Sequence, residues 1–511
     1  MSTEIRPAGL PATGEVLVSH AGISRNVSRL VASGRLRKLA SRLYTSDLHD
    51  DPVEIVRRNR WDIVAGYFPG ALVADRTALE FEPADDGSVC LVTRAGSDID
   101  LPGLRLRPRR GAGPTAEDRP FMAGLFLSSP ARAFLDNLRP SRARRGRCRR
   151  TLPRERLEAE LERLIATAGI EAANRLRDDA RRIAPRIQRD AEAELLVSII
   201  GAMAGTRDAP LASRVARARS RGLPYDPQRV ALFEGLQAAL LGMELPARAT
   251  APRDGTGHAT LAFYEAYFSN FIEGTEFEVE EAARIVFDGR IPAERPEDAH
   301  DILGVWKVVS DVAGMRDVPD TAGAFVDLLR ARHAGVLAGR PTREPGRFKT
   351  APNRLGGTAF VAPDAVVGTL QRGFDLYLAL DTPFRRAAFV HFLVTEVHPF
   401  ADGNGRVARI MLNAELIAAN EERVVIPTVY RADYVAAQRV LSVHGQATPV
   451  VRMLDFAQRW TAAVDWTNVA GTANLLQRTN AFLTEQQADV AGVRLVLPVA
   501  DNPAAPDSPG S

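Results

Sequence analysis

His398-Pro399-Phe400-Ala401-Asp402-Gly403-Asn404-Gly405-Arg406-Val407-Ala408-Arg409 is the stretch from which the rest of the chain is best read. Before it, Phe384–Val397 is apolar at helical spacing, with Phe389, Phe392, Leu393 and Val397 on one side. After it, Val407, Ile410, Met411, Ala414 and Ile417 recur at intervals of three and four. The pattern predicts a tight loop between two buried helices. Gly403 and Gly405 let backbone approach a ligand closely, and the amides that open the second helix form an anion site. Arg406 and Arg409 stand three apart on nearly one helical face, so both guanidiniums reach successive phosphates. Asp402 supplies a hard oxygen suited to Mg²⁺. His398 ends the first helix, where a neutral imidazole takes a proton from an incoming hydroxyl. The combination predicts phosphoryl or nucleotidyl transfer.

Blander readings fit less well. A calcium loop starting at Asp402 needs Glu at its twelfth position, which is Asn413. A hairpin turn at Asn404-Gly405 needs alternating flanks, and these are helical. His398 taken alone reads as a core or capping histidine, but its neighbours at these spacings argue otherwise.

The segment resembles the Fic signature HxFx[D/E]GNGRxxR at every defined position. That resemblance implies a mainly α fold, an all-helical Fic domain with a small β-hairpin flap, and transfer of AMP from ATP to a Ser, Thr or Tyr hydroxyl of a target protein. By the same likeness His398 is the general base and Phe400 the buried anchor. Asp402 and Asn404 match the Mg²⁺ and phosphate contacts, Gly403 and Gly405 the backbone anion hole, and Arg406 and Arg409 the β- and γ-phosphate contacts. Gly346–Thr350 continued through Asn353–Phe360 resembles the family's flap, with Arg354, Leu355, Gly356 and Gly357 as the target-binding residues; Lys349 stands where many relatives have Arg. Ser269-Asn270-Phe271-Ile272-Glu273-Gly274 matches the inhibitory pattern [S/T]xxxE[G/N]. Ser269 and Glu273 share a helix face, and the likeness implies that Glu273 pairs with Arg409 and blocks the γ-phosphate. A variant of this reading has Glu273 orient water to remove AMP from a modified target.

The N-terminal half has another character. Val16–His20 is expected to end a helix, Gly22 to turn, and Ser24 to cap a helix over Arg25–Ala32. Arg35–Leu39 then alternates, with a basic outward face, before Arg42-Leu43-Tyr44. The expected unit is a winged helix-turn-helix, with Arg25, Asn26, Arg29 and Arg37 as DNA contacts and Ser28 on the same helix. This run resembles the winged-helix module of AbiEi-type antitoxins and regulators. The likeness continues through Phe68–Glu80 and Leu127–Leu138 into a small mixed α/β region. Asp75 and Glu80 are expected at the surface. Arg139–Arg156, with nine arginines in 18 residues, reads as an exposed linker able to touch phosphates.

Composition bounds these readings. The 511 residues are 45% hydrophobic and 25% charged, which excludes disordered and collagenous classes. The net charge of +3 divides unevenly: residues 1–230 carry 40 basic and 29 acidic side chains, residues 231–511 carry 26 and 34. All basic residues but Lys38, Lys307 and Lys349 are Arg, a bias that GC-rich coding would itself produce. The lone Cys90 and Cys148, a polar N-terminus and short apolar runs predict a cytoplasmic protein without metal thiolates, signal peptide or membrane contact. The domains expected are 1–60 (winged helix), 61–150 (mixed α/β), 151–230 (helical linker), 231–470 (Fic with inhibitory helix) and 471–511 (helix and frayed tail, Asn502–Ser511). ATP is the expected substrate, Mg²⁺ the cofactor, and a hydroxyl-bearing protein (or the chain itself) the target. Operator DNA and a second copy of the chain are further candidate partners. The competing functions are a DNA-binding regulator with the Fic domain as sensor, and a toxin–antitoxin-like fusion.

Overall fold

A computed structural model of the chain describes residues 14–94, 96–142, 146–355 and 357–498. Gly356, the N-terminal residues 1–13 and the tail Asn502–Ser511 lie outside the described residues. The chain divides between Gly222 and Leu223 into two compact units.

The first unit runs β1 (Val16–Val18), α1 (Ser24–Ala32), β2 (Arg37–Ala40), β3 (Leu43–Thr45), α2 (Pro52–Arg58), α3 (Arg60–Tyr67), β4 (Leu72–Val73), α4 (Asp75–Glu80) and β5 (Ser88–Thr93). It continues with β6 (Ile99–Leu101), β7 (Leu104–Arg110), β8 (Arg119–Pro120), β9 (Phe126–Leu127) and α5 (Pro130–Leu138). Four helices close it: α6 (Arg154–Ala168), α7 (Ile170–Ile187), α8 (Asp190–Met203) and α9 (Arg214–Ser220). A three-stranded sheet has the order β1-β3-β2, and a six-stranded sheet the order β6-β7-β5-β4-β9-β8. The core strand β5 is apolar on both faces (Val89, Cys90, Leu91 and Val92 are buried), as expected of a strand covered on both sides.

Four expectations are corrected here. The segment expected to end a helix forms β1 instead, paired antiparallel with β3 from Val16↔Thr45 to Val18↔Leu43. Three consecutive aliphatic residues suit a strand, and the described residues here run β1-α1-β2-β3. Ser24 is the first residue of α1, not its cap; the cap position is Ile23, and Ser24 Oγ donates to the Ala21 carbonyl at 3.3 Å. Asp75 is only 2% exposed, because Arg109 Nη2 (2.9 Å) and Arg150 Nη2 (2.8 Å) neutralise it; Glu80 pairs with Arg76 at 2.7 Å. The arginine-rich block is likewise more than a linker. Arg150 packs against the sheet, donating to the carbonyls of Arg107 and Leu91, Arg147 pairs with Asp98, and α6 begins at Arg154. Arg144 and Arg145 of that block lie outside the described residues.

The second unit is almost wholly helical: α10 (Pro227–Leu241), α11 (Gly255–Ile272), α12 (Val279–Asp288), α13 (Pro296–Ser310), α14 (Val312–Met315), α15 (Ala322–Val336), the hairpin β10 (Arg354–Leu355) and β11 (Thr358–Ala359), and α16 (Val366–Tyr377). There follow α17 (Pro383–Val397), α18 (Asn404–Ala418), α19 (Arg431–His444), α20 (Thr448–Ala463), α21 (Val469–Arg478) and α22 (Glu485–Ala491). Helices α17 and α18 form the centre. Phe389, Phe392, Leu393, Val397, Val407 and Met411 lie in one core together with Phe233 of α10 and Phe374 of α16. Among the described residues no helix is long and apolar enough to cross a membrane.

Candidate active site

The loop from His398 to Gly403 joins the two central helices, and its shape follows from how each helix ends. Thr382 caps α17 by accepting from the Arg385 amide (3.4 Å), with Pro383 at the first helical position. His398 ends that helix in the left-handed region (φ 52°), and Gly403 (φ 75°) occupies the cap position of α18. Asn404 then locks the loop: its Oδ1 accepts from the Phe400 amide and its Nδ2 donates to the Phe400 carbonyl, both at 2.9 Å. Through these two bonds Asn404 shapes the loop. Phe400 is fully buried, as the signature implies, and stacks on His333 of α15 at 3.6 Å with the rings 2° from parallel.

His333 has no place in the sequence pattern, yet it braces the loop. Its Nδ1 accepts from the Gly346 amide (2.9 Å), which leaves Nε2–H to donate to the Asp402 carbonyl at 3.0 Å. Burial pushes its pKa down to about 4, so the ring is neutral. Helices α13 and α15 approach closely enough here that a Cβ at Gly304 would overlap the Val336 carbonyl oxygen. That approach brings in Asp301 as well, a second residue missed by the sequence reading. Arg406, 3% exposed, sits between Asp301 (3.1 Å) and Asp402 (3.3 Å).

His398 itself is half-buried. Its Nδ1 lies 3.3 Å from the Thr395 carbonyl, and that contact places the proton on Nδ1 and leaves the Nε2 lone pair free. Burial is the main reason its pKa falls to about 4, with Lys349 a further influence, so the imidazole is neutral across the physiological range. Phe360, just beyond the hairpin, stacks on the imidazole at 3.9 Å. Lys349 is 4% exposed; its amide donates to Pro399 O (2.9 Å) and its Nζ to Asn353 Oδ1 (2.7 Å). The lysine at the flap's base therefore ties the flap to the loop. The hairpin has two rungs, Arg354↔Ala359 and Leu355↔Thr358, and forms a two-stranded sheet by itself. Arg354 and Gly357 are exposed.

Arg409 of α18 is buried beside Gly405. Its Nε donates to Ser269 Oγ and its Nη2 to the Ser269 carbonyl, each at 2.9 Å, and Nη2 also donates to Glu273 Oε1 at 2.7 Å. Tyr434 OH lies 3.4 Å from Nη1, and His391 Nε2 lies 2.8 Å from the same hydroxyl. Glu273 is the capping residue at the end of α11, followed by Gly274 (φ 92°). A Cβ at Gly405 would overlap Glu273 Oε1, so the carboxylate lies directly on the first turn of α18, where backbone amides lack helical partners. The candidate residues of loop and inhibitory segment thus converge. The proposed DNA contacts are in the first unit. There Arg25 is exposed, Arg29 Nη2 donates to Asn26 Oδ1 (2.7 Å), and Arg37 Nη2 donates to the Asp50 carbonyl (2.6 Å).

A pH test isolates the His333 brace. A histidine whose folded pKa lies below its unfolded value near 6.5 stabilises the fold above that pH, and the contribution is lost as pH falls towards the folded value. The urea midpoint of the wild type should therefore exceed that of His333→Gln at pH 7, with the gap closing between about pH 6.5 and 4. Glu415, raised to about 7 by burial, has the opposite sign in that window but cancels in the comparison.

Residues 325–416 match the family model for the Fic/DOC family, so the second unit carries a Fic domain. The chain is similar to the protein adenylyltransferase fic-1 of Caenorhabditis elegans, 26% identical over 240 residues that make up 45% of this chain and 46% of that protein. It is also similar to the protein adenylyltransferase Fic of Nematostella vectensis, 26% identical over 38% of this chain and 46% of that one. The chain spans about half the length of these curated relatives. Among solved structures, Fic-1 (residues 134–508) of C. elegans aligns with a TM-score of 0.34 at 19% identity, over 64% of this chain and 89% of that one. A Fic-domain-containing signalling protein from Bacteroides thetaiotaomicron aligns at 0.37 and 17%, over 48% and 97%.

Proposed function

We propose that the second unit is a protein adenylyltransferase that moves AMP from ATP to a Ser, Thr or Tyr hydroxyl and is restrained by Glu273. The observation that carries this reading is the convergence of a neutral His398 with the first turn of α18 and the two buried arginines of that helix, the turn being covered by Glu273. The names of the similar proteins support it. In the reaction, Nε2 of His398 takes the proton of the target hydroxyl, whose oxygen bonds to the α-phosphorus while the bond to the β-phosphate breaks and pyrophosphate leaves. Nδ1–H, turned to the Thr395 carbonyl, holds the imidazole in the tautomer that accepts. Arg406, Arg409 and the α18 amides receive the phosphate charge. Asp402 would hold Mg²⁺: its carboxylate is a hard oxygen ligand about one-third exposed beside the loop, and no cluster of three or more ligating side chains surrounds it among the described residues. Such an ion, when bound, neutralises phosphate charge. The open edges of the flap suit strand pairing with a target segment, which supplies affinity with little side-chain selection. Intact-mass measurement of Glu273→Gly protein incubated with ATP–Mg²⁺ and lysate proteins tests the reading. Adducts of a different nucleotide, or none, would sink it.

DNA binding by the first unit is a second proposal, supported by the exposed Arg25, Ser28 and Arg29 on α1, where Val27 alone is buried. Gel shifts with the DNA upstream of its own gene should show binding that weakens about tenfold in Arg25→Ala/Arg29→Ala, one phosphate or base contact being worth about 1–3 kcal/mol. Unchanged binding rules out α1 as the contact.

A further inference from the structure

The arginine-rich block is the strongest sequence feature that the Fic chemistry leaves unused, and part of it lines a cavity in the first unit. This cavity, about 210 Å³, lies between the start of α4, the end of β7, the end of α5 and the loop that follows it. Arg109, Arg139, Arg150 and Arg189 line it against only Asp75 and Asp136, with Ser141 and Thr151 adding hydroxyls. The acids are shared out. Arg109 Nη2 contacts both carboxylates, at 2.9 Å and 3.0 Å, Arg150 Nη2 reaches Asp75 at 2.8 Å, and Arg189 Nη2 reaches Asp136 at 3.1 Å. The lining therefore keeps two positive charges beyond these two acids, and one once Glu192 beside Arg139 is counted. Directly behind it, Arg107 is buried and has no carboxylate within ion-pair distance among the described residues, its Nη1 donating to the Cys148 carbonyl. Arg139 has its side chain 62% exposed at the mouth, with its nearest acid, Glu192, 3.8 Å away.

Partly desolvated cations in such excess are costly unless an anion accompanies them. We infer that this cavity binds a phosphate monoester. Its dianion carries a charge of about −1.5 to −2 at neutral pH, opposite in sign to the excess, and guanidinium forks suit its oxygens. The volume falls below the roughly 300–1,000 Å³ of sites for drug-sized ligands, so the ligand is a phosphate on a small body such as a sugar. Arg139, Arg109 and Arg189 grip the phosphate; Asp75 and Asp136 hold the arginines in place and limit affinity.

Titration calorimetry of the full chain with ribose 5-phosphate in chloride buffer tests the assignment, with unphosphorylated ribose as control. Saturable binding is expected for the phosphate alone, weakening as chloride is raised. Arg139→Ala, a substitution at an exposed side chain, should weaken it about tenfold. Asp136→Asn should tighten it severalfold, and Arg409→Ala, in the other unit, should leave it unchanged. No saturable heat below 10 mM ligand (on the order of 3 kcal/mol of affinity), equal binding by Arg139→Ala, or loss in Arg409→Ala would each overturn the site. A 5′-phosphorylated oligonucleotide binding far more tightly, with the same dependence on Arg139, would overturn the small-ligand assignment in favour of nucleic acid.

Discussion

Glu273→Gly should raise incorporation of labelled AMP by roughly 10- to 100-fold over the wild type at low ATP. The estimate follows from the contact that disappears: a charge-assisted hydrogen bond worth about 1.5–3 kcal/mol must otherwise be surrendered before Arg409 turns to phosphate. Glu273 Oε1 is 2.7 Å from Arg409 Nη2 and lies over Gly405, so one side chain occupies both the guanidinium proposed to bind phosphate and the amides beside it. The same substitution leaves Ser269, whose hydroxyl and carbonyl still accept from Arg409, so the arginine keeps its place. Adding His398→Ala to Glu273→Gly should lower incorporation by about 10²–10⁴-fold, the usual share of a positioned general base. Equal labelling of the single and double variants would refute the adenylyltransferase reading. In Glu273→Gly the rate should hold from pH 8 down to about 5 and fall as pH nears 4, because burial keeps His398 unprotonated until then.

The second large effect concerns Asp301. Its carboxylate is buried and meets Arg340 Nη2 at 2.6 Å and Arg406 Nη1 at 3.1 Å. Burial is the largest influence on it and raises its pKa in spite of both guanidiniums. Asp301→Ala leaves buried arginine charge unmatched, a loss that costs about 3–5 kcal/mol in comparable settings. Arg340 retains Glu297 and Arg406 retains Asp402, so the lower end applies, about 3 kcal/mol. For a unit of this size that amounts to a fall in Tm of roughly 6–12 °C. Activity should respond separately. In Glu273→Gly/Asp301→Asn, which keeps the shape, the KM for ATP should rise severalfold with a smaller change in kcat, since Arg406 is steered less firmly. A melting temperature within 1 °C of the parent (about 0.3 kcal/mol) would show that Asp301 is dispensable.

The two halves of the chain were unequally legible. Around His398 the apolar period is long and the polar residues are dense, so helix, loop and helix follow from local pattern alone. Asp301, His333 and Tyr434 come from α13, α15 and α19, and no spacing along the chain marks them; packing brings Asp301 to Arg406, His333 to the loop and Tyr434 to Arg409. At Asn404 the signature marks the position, and the structure adds the two bonds by which its carboxamide holds the Phe400 backbone. In the first unit a lone carboxylate such as Asp75 reads as a surface residue, because its partners, Arg109 and Arg150, are far away along the chain. The arginine-rich block looked unpackable for the same reason. Val16–Val18 gave too short a pattern to separate the end of a helix from a strand, and only pairing with Leu43–Thr45 decides it.

Because Glu273 is part of the same folded unit as the loop it covers, under the proposed function it competes with phosphate as a tethered ligand. Its effective concentration is set by the geometry of the α11 terminus and does not change when the protein is diluted. Restraint of this kind depends on the level of ATP and on whatever loosens the end of α11, and not on how much of the protein a cell makes.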